Sequence, residues 1–344
     1  MEMVAMDYQM LFIIGMPRSG TTMLERILES HSMIMGGPEP HLLTPLAHLG
    51  YFDKVDKAPY DHILAAESQK LFVSNLPNKE RDYIDACRSY CDVLYGRLLS
   101  TTGKKIYLDK TPAYGLILPF LGKIYPDAHY IVLSRHPLAI FSSFANSFFD
   151  GDYHTAQKYN PILNRYIPAM ADFLRQDDVP YLHVKYEELV KDPETYVGKI
   201  YDHIGIPFEK ETIDYGKKQP SPEAQKGLGD PIGVKQHSRP TTKSIKKWVG
   251  ELASDSGKLK LMQDVISKLD PADLETFGYP VDTLWKALEE APAGSVKPPR
   301  KKGLSIYTLQ RKAIVKLRSQ AQKGGTFRKM LNKIKLTCDV LLRE

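Results

Sequence analysis

Residues 11–28 read LFIIGMPRSGTTMLERIL. The run Leu11–Ile14 is apolar and too short for a helix, so it predicts a buried strand. Gly15 and Gly20 then carry the glycine spacing of the phosphate loop GxxxxGK[ST], except that Thr21 stands where its lysine would be. Leu24, Ile27 and Leu28 follow at helical spacing. In a strand–loop–helix of this kind, two glycines let successive amides converge on an anion in front of a helix N-terminus. Arg18, Ser19, Gly20, Thr21 and Thr22 are therefore expected to hold a phosphate. The absent lysine normally reaches the β- and γ-phosphates, so ATP and GTP are poor candidates.

The chain has 344 residues, 42% of them hydrophobic, and a net charge of +6. Such a length suggests two units or one large α/β domain, and the composition is not that of a disordered chain. The charge is uneven. Residues 297–344 carry 14 Lys/Arg against Asp339 and Glu344, a net +12, which leaves residues 1–296 at −6. The basic balance therefore describes the last segment, and nucleic acid is not an expected partner. Expected boundaries are a main domain over 1–290, a Pro/Lys-rich linker over 291–303 and a basic amphipathic helical segment over 304–344. Cys87 and Cys91 lie one helical turn apart with no cluster at metal-ligand spacing, so they read as core residues, and no metal is expected. Few cysteines fit a reducing compartment. The first apolar run has no preceding Lys or Arg and leads into the loop, so it reads as a strand rather than a leader. No window approaches a membrane span. A cytoplasmic location follows as the expectation.

Further strands are predicted at Ile106–Leu108, His129–Leu133 and Tyr181–Val184, with helices over 80–100, 115–125, from Pro137, and from Tyr186 to about residue 204. In the 80–100 helix the expected inward stripe is Tyr83, Ile84, Cys87, Cys91, Leu94 and Leu98. Helical patterns resume at 241–250 and 258–268 after a long Gly/Pro/Lys-rich loop over 215–240. Alternating strands and helices give the fold class: α/β, a P-loop-like three-layer fold with a central, mostly parallel sheet flanked by helices.

A second group, Ser134-Arg135-His136-Pro137, falls at the carboxyl end of a strand, where ligands of open α/β sheets bind. Ser143 lies about two turns along the next helix. An Arg135–Ser143 pair there could hold a second phosphate. The alternative is an arginine engaged in a surface cap or ion pair.

PRSGTT after a strand, with SRHP-x5-S downstream, resembles the sulfotransferases that use 3′-phosphoadenylyl sulfate (PAPS). The resemblance covers about residues 10–250. It includes Tyr186-Glu187-Glu188-Leu189 and the segment before Trp248, where relatives place a basic residue before a proline, here Arg239-Pro240. It implies that the loop binds the 5′-phosphosulfate side, that Arg135 and Ser143 bind the 3′-phosphate, and that Tyr186 and Arg239 also bind the nucleotide. PAPS would be the co-substrate and PAP the product, with no metal. The tyrosylprotein-like and bacterial branches carry a glutamate after the first helix that acts as general base, and Glu39 in Gly36-Gly37-Pro38-Glu39-Pro40-His41 matches it. His41 is the rival base. Asp109-Lys110-Thr111-Pro112 resembles the Lys-Thr/Ser-Pro segment of carbohydrate sulfotransferases, which places Lys110 beside the transferring group with Arg18. Some relatives have an arginine one turn beyond the serine where this chain has Ser147, so the 3′ side is expected to lean on Arg239 or Lys235.

The acceptor is a hydroxyl compound: an alcohol, a sugar or a phenol. Segments 50–80 and 148–165 are expected to shape its pocket. Two other classes remain open. A P-loop kinase or nucleotidase would need the missing lysine and an acid for Mg²⁺. A non-catalytic membrane-associated protein would use the last segment, whose stripe Phe327, Met330, Leu331, Ile334, Cys338, Leu341, Leu342 could lie on an anionic membrane. That stripe could equally pack on the acidic body or on a second copy.

Overall fold

Five strands form one parallel sheet: β1 (Gln9–Gly15), β2 (Ile34–Met35), β3 (Ile106–Asp109), β4 (His129–Ser134) and β5 (Tyr181–Lys185), in the order β2-β3-β1-β4-β5. In register, Leu11 of β1 faces Leu108 of β3 on one side and His129 of β4 on the other. The computed structural model describes residues 8–37, 39, 43–47, 62–176, 179–217 and 238–290, together with 330 and 334.

β1 is central, and this explains its unbroken apolar run. Phe12, Ile14 and Met16 face one core, with Cys87, Cys91, Leu121, Phe141, Ile167 and Trp248. Leu11 and Ile13 face the other, with Leu24, Ile27 and Leu28 of the helix α1 (Thr21–Glu29) and with Val197 and Ile200. A strand covered on both faces has no polar side to show in its sequence.

The predicted α/β sheet is present, with local differences. β2 is only two residues long, too short to leave a periodic signal. The expected 115–125 helix is a 3-10 turn, Pro112–Leu116, followed by the helix Leu118–Ile124. In the helix Glu80–Ser100 the inward line is Cys87, Cys91, Tyr95 and Leu99, while Leu94 and Leu98 are exposed. This line has a strict four-residue spacing, and it carries Tyr95, which stacks on Tyr107 and donates to Asp109 at the end of β3. In the 148–165 segment, Tyr153, Ile162 and Leu163 are buried in the core. The 241–250 pattern resolves into a 3-10 turn, Thr242–Ser244, and the helix Lys247–Ala253. Most of the 215–240 loop, including Lys235, lies outside the described residues, as do residues 48–61 and the linker. Of the last segment only Met330 and Ile334 are described, both helical. No helix among the described residues is long and apolar enough to cross a membrane.

Candidate active site

Chain direction across the sheet reverses at β1. The connection from β1 leads to β2 on one side, and the connection from β3 crosses to β4 on the other. Open parallel sheets bind ligands at such a reversal, outside the carboxyl ends of the strands. Three segments end there: the loop 15–20 after β1, Lys110 after β3, and Ser134-Arg135 at the end of β4.

The loop is tightly folded. Gly20 has φ 104, and a Cβ there would lie 2.6 Å from the Tyr186 ring. At Gly15 a Cβ would meet the Thr21 methyl at 2.5 Å and Ser19 Oγ at 2.7 Å. Arg18 also takes a left-handed conformation, φ 73. Gly20 serves as the N-cap of α1, so no side chain caps that helix. Thr21 is buried and Thr22 half-buried. Ser19 Oγ is fully buried with no hydrogen-bond partner among the described residues. An uncapped helix N-terminus with a buried hydroxyl beside it suits an anionic ligand.

Arg135 braces this loop. Its Nη1 donates to the Arg18 carbonyl at 2.9 Å and its Nη2 to the Ser244 carbonyl at 3.1 Å. Its guanidinium lies 4.4 Å over the Tyr186 ring, and its Nε is buried without a partner among the described residues. Arg135 and Ser143, expected to hold a phosphate together, are not bonded to each other. Ser143 Oγ accepts from Arg18 Nε at 3.2 Å instead, because Arg135 is turned toward the two carbonyls. Arg239 stands 3.9 Å from Asp214 in an exposed ion pair. His41 lies outside the described residues.

Lys110 is the most unusual side chain of the site. Residues 106, 108 and 110 share one side of β3, the side that faces α1, and the ammonium is 1% exposed. It lies 2.5 Å from Glu39 Oε1 and 3.3 Å from Glu25 Oε2. Burial alone would lower its pKa, but Glu25 and Glu39 outweigh burial and raise it. Burial pushes the Glu25 carboxyl up to about 8 despite the neighbouring ammonium. Lys110 and Glu39, separated by many residues in the chain, are thus brought together as an acid–base pair. Glu25 has no motif in the sequence to mark it. The available signal was an acid on the same helical face as Leu28, pointing into a core where acids are rare.

The opposite side of β3 carries Asp109. Its carboxylate accepts from Tyr95 at 2.6 Å, Tyr114 at 3.0 Å and Thr111 at 3.1 Å. Tyr114 Oη in turn accepts from the Leu43 amide at 3.2 Å, which ties the segment after Glu39 to the end of β3. Burial pushes the Asp109 carboxyl up to about 6, against the pull of these hydrogen bonds. Next to Arg135, the His136 ring stacks on Trp248 at 4.6 Å and its Nε2 lies 3.1 Å from the Leu284 carbonyl. Burial lowers its pKa to about 4. The His136 amide donates to Glu187, which also accepts from Tyr279.

Residues 10–210 match the family model described as the Sulfotransferase family. The nodulation protein NoeE of Sinorhizobium fredii is 36% identical over 132 residues, which cover 38% of this chain and 30% of that protein. An uncharacterized protein of Aquifex aeolicus is 24% identical over 78% of this chain and 34% of its own length. The chain thus spans about a third of these two relatives. Protein-tyrosine sulfotransferase 1 of Danio rerio is 23% identical over 72% of this chain and 68% of that protein. Among solved structures, the sulfotransferase domain from the curacin biosynthetic pathway superposes with a TM-score of 0.50 at 22% identity, covering 76% of this chain and 99% of that domain. The last likeness is one of fold.

Proposed function

The chain belongs to the sulfotransferase family, and from that premise we propose that it moves the sulfuryl group of PAPS to an acceptor hydroxyl and releases PAP. One observation carries the mechanism: the buried contact between the Lys110 ammonium and the Glu39 carboxylate at the carboxyl end of β3. A base held against a cation, beside an anion-binding loop, suits transfer of an anionic group to a hydroxyl.

PAPS supplies an activated sulfonate on a single 5′-phosphate, which is why a loop without the usual lysine can hold it. The amides of Gly20, Thr21 and Thr22, with Ser19 and Arg18, bind the 5′ side. Arg135 Nε, Ser143, Tyr186 and Arg239 are assigned to the 3′ side. Glu39 takes the proton of the acceptor hydroxyl as its oxygen attacks sulfur in line. Lys110, Arg18 and the loop amides stabilise the charge that builds on the transferring oxygens and the leaving phosphate oxygen. The acceptor is an alcohol, sugar or phenol, and the protein-tyrosine sulfotransferase relatives make phenols the first compounds to try.

Thermal-shift titration with PAP in EDTA, followed by an acceptor screen with labelled PAPS, tests the reading. PAP should raise the melting temperature without metal. Stabilisation by Mg-ATP alone would overturn it. Glu39→Ala should keep PAP affinity and lose on the order of 10²–10⁴ in turnover, and near-full activity of that variant would remove Glu39 as the base.

A further inference from the structure

Glu25 stands in the site without a role in the chemistry above. It lies on α1, one turn beyond Thr21 at the helix N-terminus, and is 6% exposed. Its Oε2 is 3.3 Å from Lys110 Nζ, and its Oε1 is buried with no hydrogen-bond partner among the described residues. A carboxyl group in such a place is costly unless it has work to do with its neighbour. The groups that bear on it are Lys110 and Tyr107 of the β3 segment, Glu29 of its own helix, and Glu39.

We propose that Glu25 is a positioning residue that anchors the Lys110 ammonium to α1, so that the lysine keeps its place when it turns from Glu39 toward the transferring group. This rests on the sulfuryl-transfer reading above. At rest, Lys110 is shared between the two carboxyl groups. To stabilise the transferring oxygens and free Glu39 as a base, it must loosen its contact with Glu39. A lysine has four rotatable side-chain bonds and would lose its position on doing so. Its three N–H donors allow another outcome: one stays on Glu25 while the others serve Glu39 and the sulfonate. The anchor also has a fixed relation to the donor site. Thr21 and Glu25 are four residues apart, about 6 Å along the axis of one rigid helix. The helix whose N-terminus takes the phosphate thereby also sets the distance to the ammonium. In this arrangement Glu25 Oε2 is the acceptor that stays with the lysine.

Glu25→Met and Glu25→Gln separate this role from a structural one. Methionine fills the volume without an acceptor, and glutamine keeps the acceptor. Two readouts are taken on the full chain. The first is kcat with PAPS and an active acceptor, alongside PAP affinity. The second is the rate at which acetic anhydride acetylates Lys110, followed by peptide mass spectrometry, and it requires no turnover. Glu25→Met should lower kcat by roughly 10–100-fold, with PAP affinity within about twofold, and change Lys110 labelling at least about fivefold. Glu25→Gln should recover most of both. Unchanged labelling in Glu25→Met would overturn the anchor, as would equal losses in the two variants. If the wild-type chain transfers no sulfuryl group, the functional reading fails by itself, and the labelling comparison still decides whether Glu25 holds Lys110.

Discussion

Replacing Gly20 by alanine should both destabilise the fold and destroy the anion cradle. Two independent costs follow from the geometry. The residue sits at φ 104, where an L side chain pays about 1–2 kcal/mol. The new methyl would also lie 2.6 Å from Tyr186 Cδ2, and overpacking of this kind costs about 1–3 kcal/mol. Together they amount to roughly 2–5 kcal/mol. At about 2–4 °C per kcal/mol for a domain of this size, the melting temperature should fall by roughly 4–20 °C. A double-mutant cycle with Tyr186→Ala divides the two costs, since the smaller side chain removes the collision and leaves the backbone conformation strained. The coupling should be about 1–3 kcal/mol in the relieving direction. Calorimetry provides the stabilities and isothermal titration provides PAP affinity. A melting temperature within about 2 °C of wild type, or strictly additive single changes, would refute the packing of Tyr186 on the loop.

Three further outcomes are expected. Arg135→Lys cannot bridge the Arg18 and Ser244 carbonyls with a single ammonium, so PAP affinity should drop at least about tenfold, checked by titration. Tyr95→Phe deletes the 2.6 Å hydrogen bond to Asp109 and should cost about 1–3 kcal/mol in denaturant unfolding, with the loss larger at pH 8 than at pH 5 because that bond favours the ionised carboxylate. His136, held neutral by burial down to about pH 4, should make the protein less stable as pH falls from about 6.5 to 4, since only the unfolded chain takes up that proton; the slope is worth up to roughly 3 kcal/mol and should flatten in His136→Gln.

Sequence alone went far on the fold because β1, its glycine loop and α1 each carry an independent signal in adjacent residues. The order of the strands did not show, since a two-residue edge strand such as β2 has no period to detect. The side chains proposed for the site were legible one by one, but their pairing was not. Arg18, Arg135 and Ser143 were all identified, yet Ser143 joins Arg18 because the direction of Arg135 is set by carbonyls whose positions depend on the tertiary fold. Lys110 and Glu39 were proposed separately, and their contact is a long-range event that no local pattern encodes. Glu25 was hidden among good helix formers, where glutamate is unremarkable unless the helical face is drawn first. Asp109 was noted only as part of a short segment, because its three hydroxyl partners come from distant and nearby residues alike.

Arg18 adopts a backbone conformation, φ 73, that glycine would take with less strain. Such a residue costs on the order of 1–3 kcal/mol, yet its guanidinium is the charge proposed here to meet the ligand. On that proposal, durability and ligand capture pull against each other at this one position. A library selected only for survival on heating should drift toward Arg18→Gly and return sturdier molecules that no longer hold their ligand. Engineering this scaffold for heat resistance would need a selection that rewards nucleotide capture at the same time.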